Sequence, residues 1–163
     1  MTSAGSGRPA AVDRVEAAAR ALDLDIAIRE FPAGTRTAEE AAAAIGVEVG
    51  QIVKSLVFAV DGSITVALVS GANRLDEKAL AAVAGGTKVK RVDADAVRAA
   101  TSYAIGGIPP FGHPKQLPTF IDRDLLDFDV VWAAAGSHTH VFAVTPADLV
   151  AATGGEVADL RAE

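Results

Sequence analysis

The chain has 163 residues, 15 lysines and arginines against 21 aspartates and glutamates, and no cysteine. That length suits one domain with a worthwhile core, and the net charge of −6 is the wrong sign for a protein that coats long stretches of nucleic acid. Without cysteine there are no disulfides, thiolate nucleophiles or cysteine-ligated metals, so any chemistry falls to oxygen, nitrogen and backbone groups, and no apolar run is long enough to span a bilayer.

Met1 to Ala10 is rich in Ser, Gly and Ala and has no apolar centre. It is expected to be a flexible tail rather than a signal peptide, leaving one domain over 11–163 and a cytoplasmic location. Val12, Val15, Ala19 and Leu22 recur at three- and four-residue steps, which predicts a first helix with those side chains on one face. Ile26 to Phe31 alternates like a short strand, and Pro32-Ala33-Gly34 breaks it. Thr37 followed by Glu40 has the spacing of a capping box and opens an alanine-rich helix that Gly46 can end. Ile52 to Val60 and Ile64 to Val69 are β-branched runs separated by Asp61-Gly62, a dipeptide that supplies the positive φ angles of a two-residue hairpin turn. Leu75 to Ala84 reads as a helix closed by Gly85-Gly86, Lys88 to Val92 as a strand, and Asp93 as the cap of a helix through Ala100.

From Thr101 to Pro118, four prolines and three glycines exclude a regular element and predict a shaped loop. Phe120-Ile121, Phe128 to Ala135 and His140 to Val144 read as further strands, the last two joined by a turn at Gly136-Ser137. Thr145-Pro146 is an N-cap followed by the favoured first-turn proline of a closing helix that Gly154 can end. Strands and helices interleave, hairpins occur, and no linker or repeat divides the chain. The predicted architecture is a single α+β domain (α/β in looser usage), a mixed, largely antiparallel sheet with helices packed around it.

Lys54 is the first candidate for chemistry. On the predicted strand Ile52, Leu56 and Phe58 share its face, while Val53 and Val57 fill the other. A lysine there is costly unless its ammonium reaches water or an anion. Two readings stay open: a lysine that snorkels to solvent, or a cation fixed on a rigid strand before a phosphate or a developing oxyanion. The run Gly106-Gly107-Ile108-Pro109-Pro110-Phe111-Gly112 is the second candidate, because glycines let backbone amides approach a ligand while prolines restrict the loop. It reads either as an ordinary connection or as an oxyanion hole.

His138 and His140, two apart on a strand, point to one side as paired metal ligands can, and His113 would offer a third. No H-E-x-x-H motif or Cys/His cluster accompanies them, so hydrogen-bonding or surface roles are favoured and no metal or other cofactor is expected. Ser55, Ser102 and Ser137 are not set in G-x-S-x-G, which gives a covalent triad little support. Trp132 and Phe142 are expected in the core, and Asp76-Glu77-Lys78 in the solvated first turn of a helix.

Three ordered motifs now carry a resemblance: Ile52-Val53-Lys54-Ser55-Leu56-Val57-Phe58, Val69-Ser70-Gly71-Ala72-Asn73-Arg74-Leu75-Asp76, and Tyr103-Ala104-Ile105-Gly106-Gly107-Ile108-Pro109-Pro110-Phe111-Gly112-His113. Their order resembles that of YbaK-like aminoacyl-tRNA deacylases, editing relatives of the domain inserted in prolyl-tRNA synthetase. The similarity extends through Trp132-Ala133-Ala134-Ala135-Gly136 and Thr145-Pro146-Ala147-Asp148-Leu149, and so spans Val12 to Gly155.

The resemblance implies a free-standing enzyme that hydrolyses the ester of misacylated tRNA, especially proline tRNA carrying a small wrong amino acid. Its implied partners are the aminoacyl-tRNA acceptor end and prolyl-tRNA synthetase. The family's required strand lysine corresponds to Lys54, and its carbonyl-holding G-x-x-x-P loop to Gly106 and Pro110. An aminoacyl ester is already activated and its neighbouring ribose hydroxyl can position or deprotonate water, so no protein nucleophile is needed. On this reading Lys54 meets the terminal nucleotide's phosphate or nearby negative charge, and amides around Gly106 and Gly107 stabilise the oxyanion. Ile108, Phe111 and His140 then line the amino-acid pocket. Ser102 stands where many relatives have glycine, and the Pro109-Phe111-His113 loop departs from the Ser-Pro form of the cysteine-specific branch, which leaves the amino acid removed open. Two other classes compete: a non-catalytic module that binds an acceptor end or nucleotide, and a metal-dependent hydrolase using the three histidines.

Overall fold

The computed structural model describes residues 8–32, 35 and 37–162; most of the predicted tail and Ala33-Gly34 of the predicted break lie outside them. Helix α1 (Ala10–Ala21) buries Val12, Val15 and Ala19, as their spacing requires. Leu22 does not complete the stripe: it is the C-cap, 44% exposed, and the chain turns away at Asp23 with φ 57°. Strand β1 (Ile28–Glu30) is shorter than the alternating run, because its ladder with a later strand spans only those three residues.

Helix α2 (Ala38–Ile45) opens on the predicted capping box. Glu40 N donates to Thr37 Oγ1 at 3.0 Å, Thr37 N donates to Glu40 Oε1 at 3.1 Å, and Gly46 ends the helix at φ 88°. A 3₁₀ turn at Val49–Gln51 leads into β2 (Val53–Val60) and β3 (Ser63–Ser70). Asp61 (φ 48°) and Gly62 (φ 87°) make the hairpin turn, both in the left-handed region that a type I′ turn demands. Helix α3 (Glu77–Val83) follows, with Asp76 as its N-cap rather than part of its first turn, then β4 (Val89–Arg91) and α4 (Ala94–Thr101), capped by Asp93.

Residues 102–118 contain no helix or strand. Beyond them lie β5 (Thr119–Asp122), a 3₁₀ turn at Arg123–Asp127, β6 (Val131–Ala134), β7 (His140–Val144) and α5 (Pro146–Thr153), capped by Thr145. A last strand, β8 (Glu156–Ala158), carries no alternation to reveal it in the sequence; it is held by parallel pairing to β5.

The strands form two sheets where the sequence suggested one. Five strands run in the order β4-β2-β3-β5-β8, antiparallel from β4 to β3 and parallel from β3 to β8. The other three, β1-β7-β6, are antiparallel throughout, and a parallel bridge between Ile52 and Trp132 stitches the sheets together. Alternation along β3 sends Val66 and Leu68 into the main core with Val15, Phe111, Ile121 and Phe142, while Ala67 and Val69 face Leu80 and Leu160. Burial on both faces explains why β3 reads as a continuous apolar run, each fully buried Leu or Val contributing about 1.5–3 kcal/mol.

Candidate active site

The meeting of the two sheets creates the site. Strand β2 is bordered by β3 along its whole length. Its other edge pairs with β4 only at Phe58–Val60 and bridges Trp132 only at Ile52. Between those points no strand among the described residues covers it, and a cavity of about 380 Å³ opens there, a size suited to a small ligand. Ile52, Val53, Lys54, Ser55 and Leu56 line it from β2, Thr37, Ala38, Glu39 and Ala41 from α2 and its cap, and Trp132, Ala133, Ala134 and Val141 from the smaller sheet. Ile105, Gly106 and Ile108 close it from the long loop. Lys54 and the glycine loop, 52 residues apart in sequence, thus meet at one cavity.

Lys54 is partly buried, and its Nζ donates to Asn73 O at 2.6 Å. That carbonyl belongs to a braced turn. Asn73 Nδ2 donates to Asp122 Oδ2 and Asp124 Oδ2, each at 2.8 Å, and Asp122, only 1% exposed, also accepts from Ser70 N at 3.0 Å. Ser70 Oγ donates to Gly50 O at 2.7 Å, and Arg161 Nη1 lies 3.2 Å from Asp124 Oδ2. The motif Ser70-Gly71-Ala72-Asn73 is therefore the mount for the lysine, a role the sequence reading did not assign. One of three ammonium donors is used, so two remain for a ligand.

The loop is fixed as firmly. Gly107 N donates to Ala104 O at 3.0 Å, closing a turn whose third residue, Gly106, has φ 95°; a type II turn requires a positive φ there. A Cβ on Gly106 would meet nothing within 4 Å, whereas one on Gly107 would lie 2.8 Å from Ser137 N and 2.9 Å from Ser137 Cα. Gly136 N donates to Gly107 O at 2.9 Å, which pins the loop to the turn between β6 and β7. Gly107 thus acts as the docking point, its amide already engaged, and Gly106 is the glycine that lines the cavity. Upstream, Ser102 holds φ 71° at the end of α4, the conformation for which glycine is favoured, and Arg14 Nη2 donates to its carbonyl at 2.8 Å.

Of the residues expected to line the pocket, only Ile108 does so. Phe111 is 3% exposed in the main core, its ring 5.6 Å from that of Phe142 and tilted by 52°. Pro110, also buried, borders a separate groove between α1 and α5 with Phe111 and His113. His140 is displaced by strand parity: it pairs with Glu30 and turns from the cavity, while its neighbour Val141 lines it. Its Nδ1 lies 2.6 Å from Ser137 Oγ. Trp132 departs from its expected core place in the other direction, half-buried on the cavity wall, while Phe142 is fully buried as expected. We expect Phe111→Ala to cost about 3–5 kcal/mol of stability while leaving relative rates on different amino acids unchanged. Denaturant unfolding and a substrate panel on the same variant check both parts.

The histidines do not converge. His113 Nε2 is 2.9 Å from Pro109 O, and burial holds its imidazole below the ordinary value while that hydrogen bond opposes the shift. Among the described residues no group of three His, Cys, Asp or Glu could hold a metal ion. No helix among them is long and apolar enough to cross a membrane.

A strand lysine and a glycine turn thus share one cavity at the junction of two sheets in a single α+β domain. The chain belongs to the aminoacyl-tRNA editing domain family, whose sequence profile matches residues 32–152. It is 32% identical over 127 residues, 76% of both chains, to EbsC of Enterococcus faecalis, named as a candidate Cys-tRNA(Pro)/Cys-tRNA(Cys) deacylase. It is 33% identical over 109 residues to a proline–tRNA ligase of Maridesulfovibrio salexigens, matching 66% of this chain and 19% of the ligase. A crystal structure described as a candidate trans-editing enzyme for prolyl tRNA synthetase superposes with a TM-score of 0.91 at 44% identity, covering 96% of this chain and all of the other.

Proposed function

We propose that this chain acts in trans as an aminoacyl-tRNA deacylase, hydrolysing the ester of misacylated tRNA, with proline tRNA carrying a small wrong amino acid as its substrate. The observation that carries the reading is the placement of Lys54 and Gly106 on one cavity in a member of this editing family. The acceptor end enters with the ester carbonyl at the Gly106 turn. Water, positioned by the neighbouring ribose hydroxyl, attacks the carbonyl carbon; the Gly106 amide stabilises the tetrahedral oxyanion, and collapse expels the ribose oxygen, which takes up the proton. Lys54, held by Asn73 O, meets the negative charge of the terminal nucleotide. Only that end enters, which accommodates a net charge of −6 on the chain, and prolyl-tRNA synthetase is the partner that would deliver the tRNA in the cytoplasm.

Size is the chief basis of selection, since Ile108, Val53 and Ala133 present apolar walls to the cavity. One methylene is worth about 1–3 kcal/mol, so alanyl, seryl, threonyl and cysteinyl esters on one tRNA should differ by no more than about 10–200-fold per step in size. Ile108→Val enlarges the pocket by one methylene and should shift the preference toward the larger esters. Single-turnover rates on the four substrates test this. A single strongly preferred ester, unmoved by Ile108→Val, would place selection in polar contacts or in the tRNA.

A further inference from the structure

Arg29 has no place in the scheme so far, yet the fold delivers it to the mouth of the same cavity. In the three-stranded sheet Arg29 stands opposite Val141, and Val141 stands opposite Ala134, so the three share one face. Val141 and Ala134 line the cavity. The Arg29 guanidinium carbon lies 4.9 Å from the centroid of Phe31 and 5.6 Å from that of Trp132, and Trp132 is itself a wall of the cavity. Two aromatic faces hold an otherwise flexible side chain, and a guanidinium stacked in this way keeps its edge donors for a planar anion.

Arg29 differs from the other arginines that are fixed in place: Arg14, stacked on Tyr103, donates to Ser102 O, and the rest meet carboxylates. Arg8, Arg20, Arg123 and Arg161 each meet a carboxylate within 3.4 Å. Arg29 meets none among the described residues. Its neighbour Glu30 points to the opposite face, toward His140 at 3.9 Å, and Glu39 is the only carboxylate among the residues lining the cavity. A fixed, exposed guanidinium at the mouth of a cavity is the arrangement that binds a phosphate.

We propose that Arg29, clamped by Phe31 and Trp132, binds a phosphodiester of the single-stranded RNA end whose ester enters the cavity. This rests on the deacylase reading and adds to it the element that holds the RNA strand outside the reaction chamber. It also answers how an acidic chain holds a polyanion: the contact is one stacked cation rather than a basic surface.

The test uses an uncharged RNA hairpin with a single-stranded CCA end, its dissociation constant measured at several salt concentrations. Each phosphate contact on a single strand contributes a slope of about −0.7 in log affinity against log salt. Arg29→Gln should bind several-fold more weakly and shallow that slope by about 0.7, whereas Arg29→Lys should keep the slope while losing part of the affinity. Arg123→Gln, which removes a cation already paired with Asp159, should match wild type. Deacylation of mischarged tRNA by the same proteins keeps the two claims apart. If wild type deacylates but Arg29→Gln shows its full slope and affinity, the phosphate site is wrong and the deacylase reading stands. If wild type neither binds nor deacylates, both fall.

Discussion

Lys54→Ala should lower kcat/KM on a mischarged tRNA by about 10–150-fold, the loss that follows when a charge-assisted contact of about 1.5–3 kcal/mol to the terminal nucleotide is removed. The same variant should remain folded. Lys54 is only partly buried, and its loss removes one hydrogen bond, to Asn73 O. That is worth at most about 1.5–3 kcal/mol, the range for a bond from a charged group, and less for a partly exposed one, so the loss in Tm should stay below about 10 °C. The bracing of Asn73 by Asp122 and Asp124 does not depend on the lysine and should persist. Lys54→Arg should rescue little, because a planar fork cannot reproduce a compact ammonium held by a single carbonyl. Turnover and melting are measured on one preparation; near-normal turnover in folded Lys54→Ala contradicts the assigned role.

The second large effect is expected at Gly106. Gly106→Val should reduce turnover by at least about 10²-fold, the scale on which a small misplacement of catalytic geometry is felt. The cause is conformational. Space around the glycine is open, but its φ of 95° is one that a β-branched residue rarely adopts, so the turn must reopen or hold strain of about 1–3 kcal/mol. Gly106→Ala should show the same defect in weaker form. Gly107→Ala differs in kind: its Cβ would press on the Ser137 backbone, so that variant should lose stability as well as activity. Full activity in Gly106→Val would remove the turn from the mechanism.

The parts of this molecule that were legible in its sequence are those fixed locally. The capping box at Thr37 and Glu40, the Asp61-Gly62 turn and the caps at Asp93 and Thr145 each depend on residues within a few positions of one another, and each formed as read. The motifs around Lys54 and the glycine loop pointed to the family. Placement across the fold was not legible. His140 and Val141 differ by one position, and only the pairing with β1 and β6 decides which of them faces the cavity. Phe111 and Ile108 share a loop and are equally buried in the main core, yet Ile108 also reaches the cavity wall and Phe111 does not. The splitting of the sheet depends on where β2 loses its neighbours, a long-range matter that alternation cannot report. Asn73, Asp122 and Arg29 escaped for the same reason: each takes its role from partners distant in sequence.

Ester hydrolysis by this chain's own residues is tested by release of the amino acid from alanyl-tRNA(Pro) by the purified protein, with a chelator present throughout. Multiple turnover is expected, unchanged by the chelator and lowered about 10–150-fold in Lys54→Ala. Binding of the acceptor end without hydrolysis of that ester or of its seryl, threonyl and cysteinyl counterparts would make the chain a binding module instead. Activity lost to the chelator and restored by a divalent metal would instead make it a metal-dependent hydrolase.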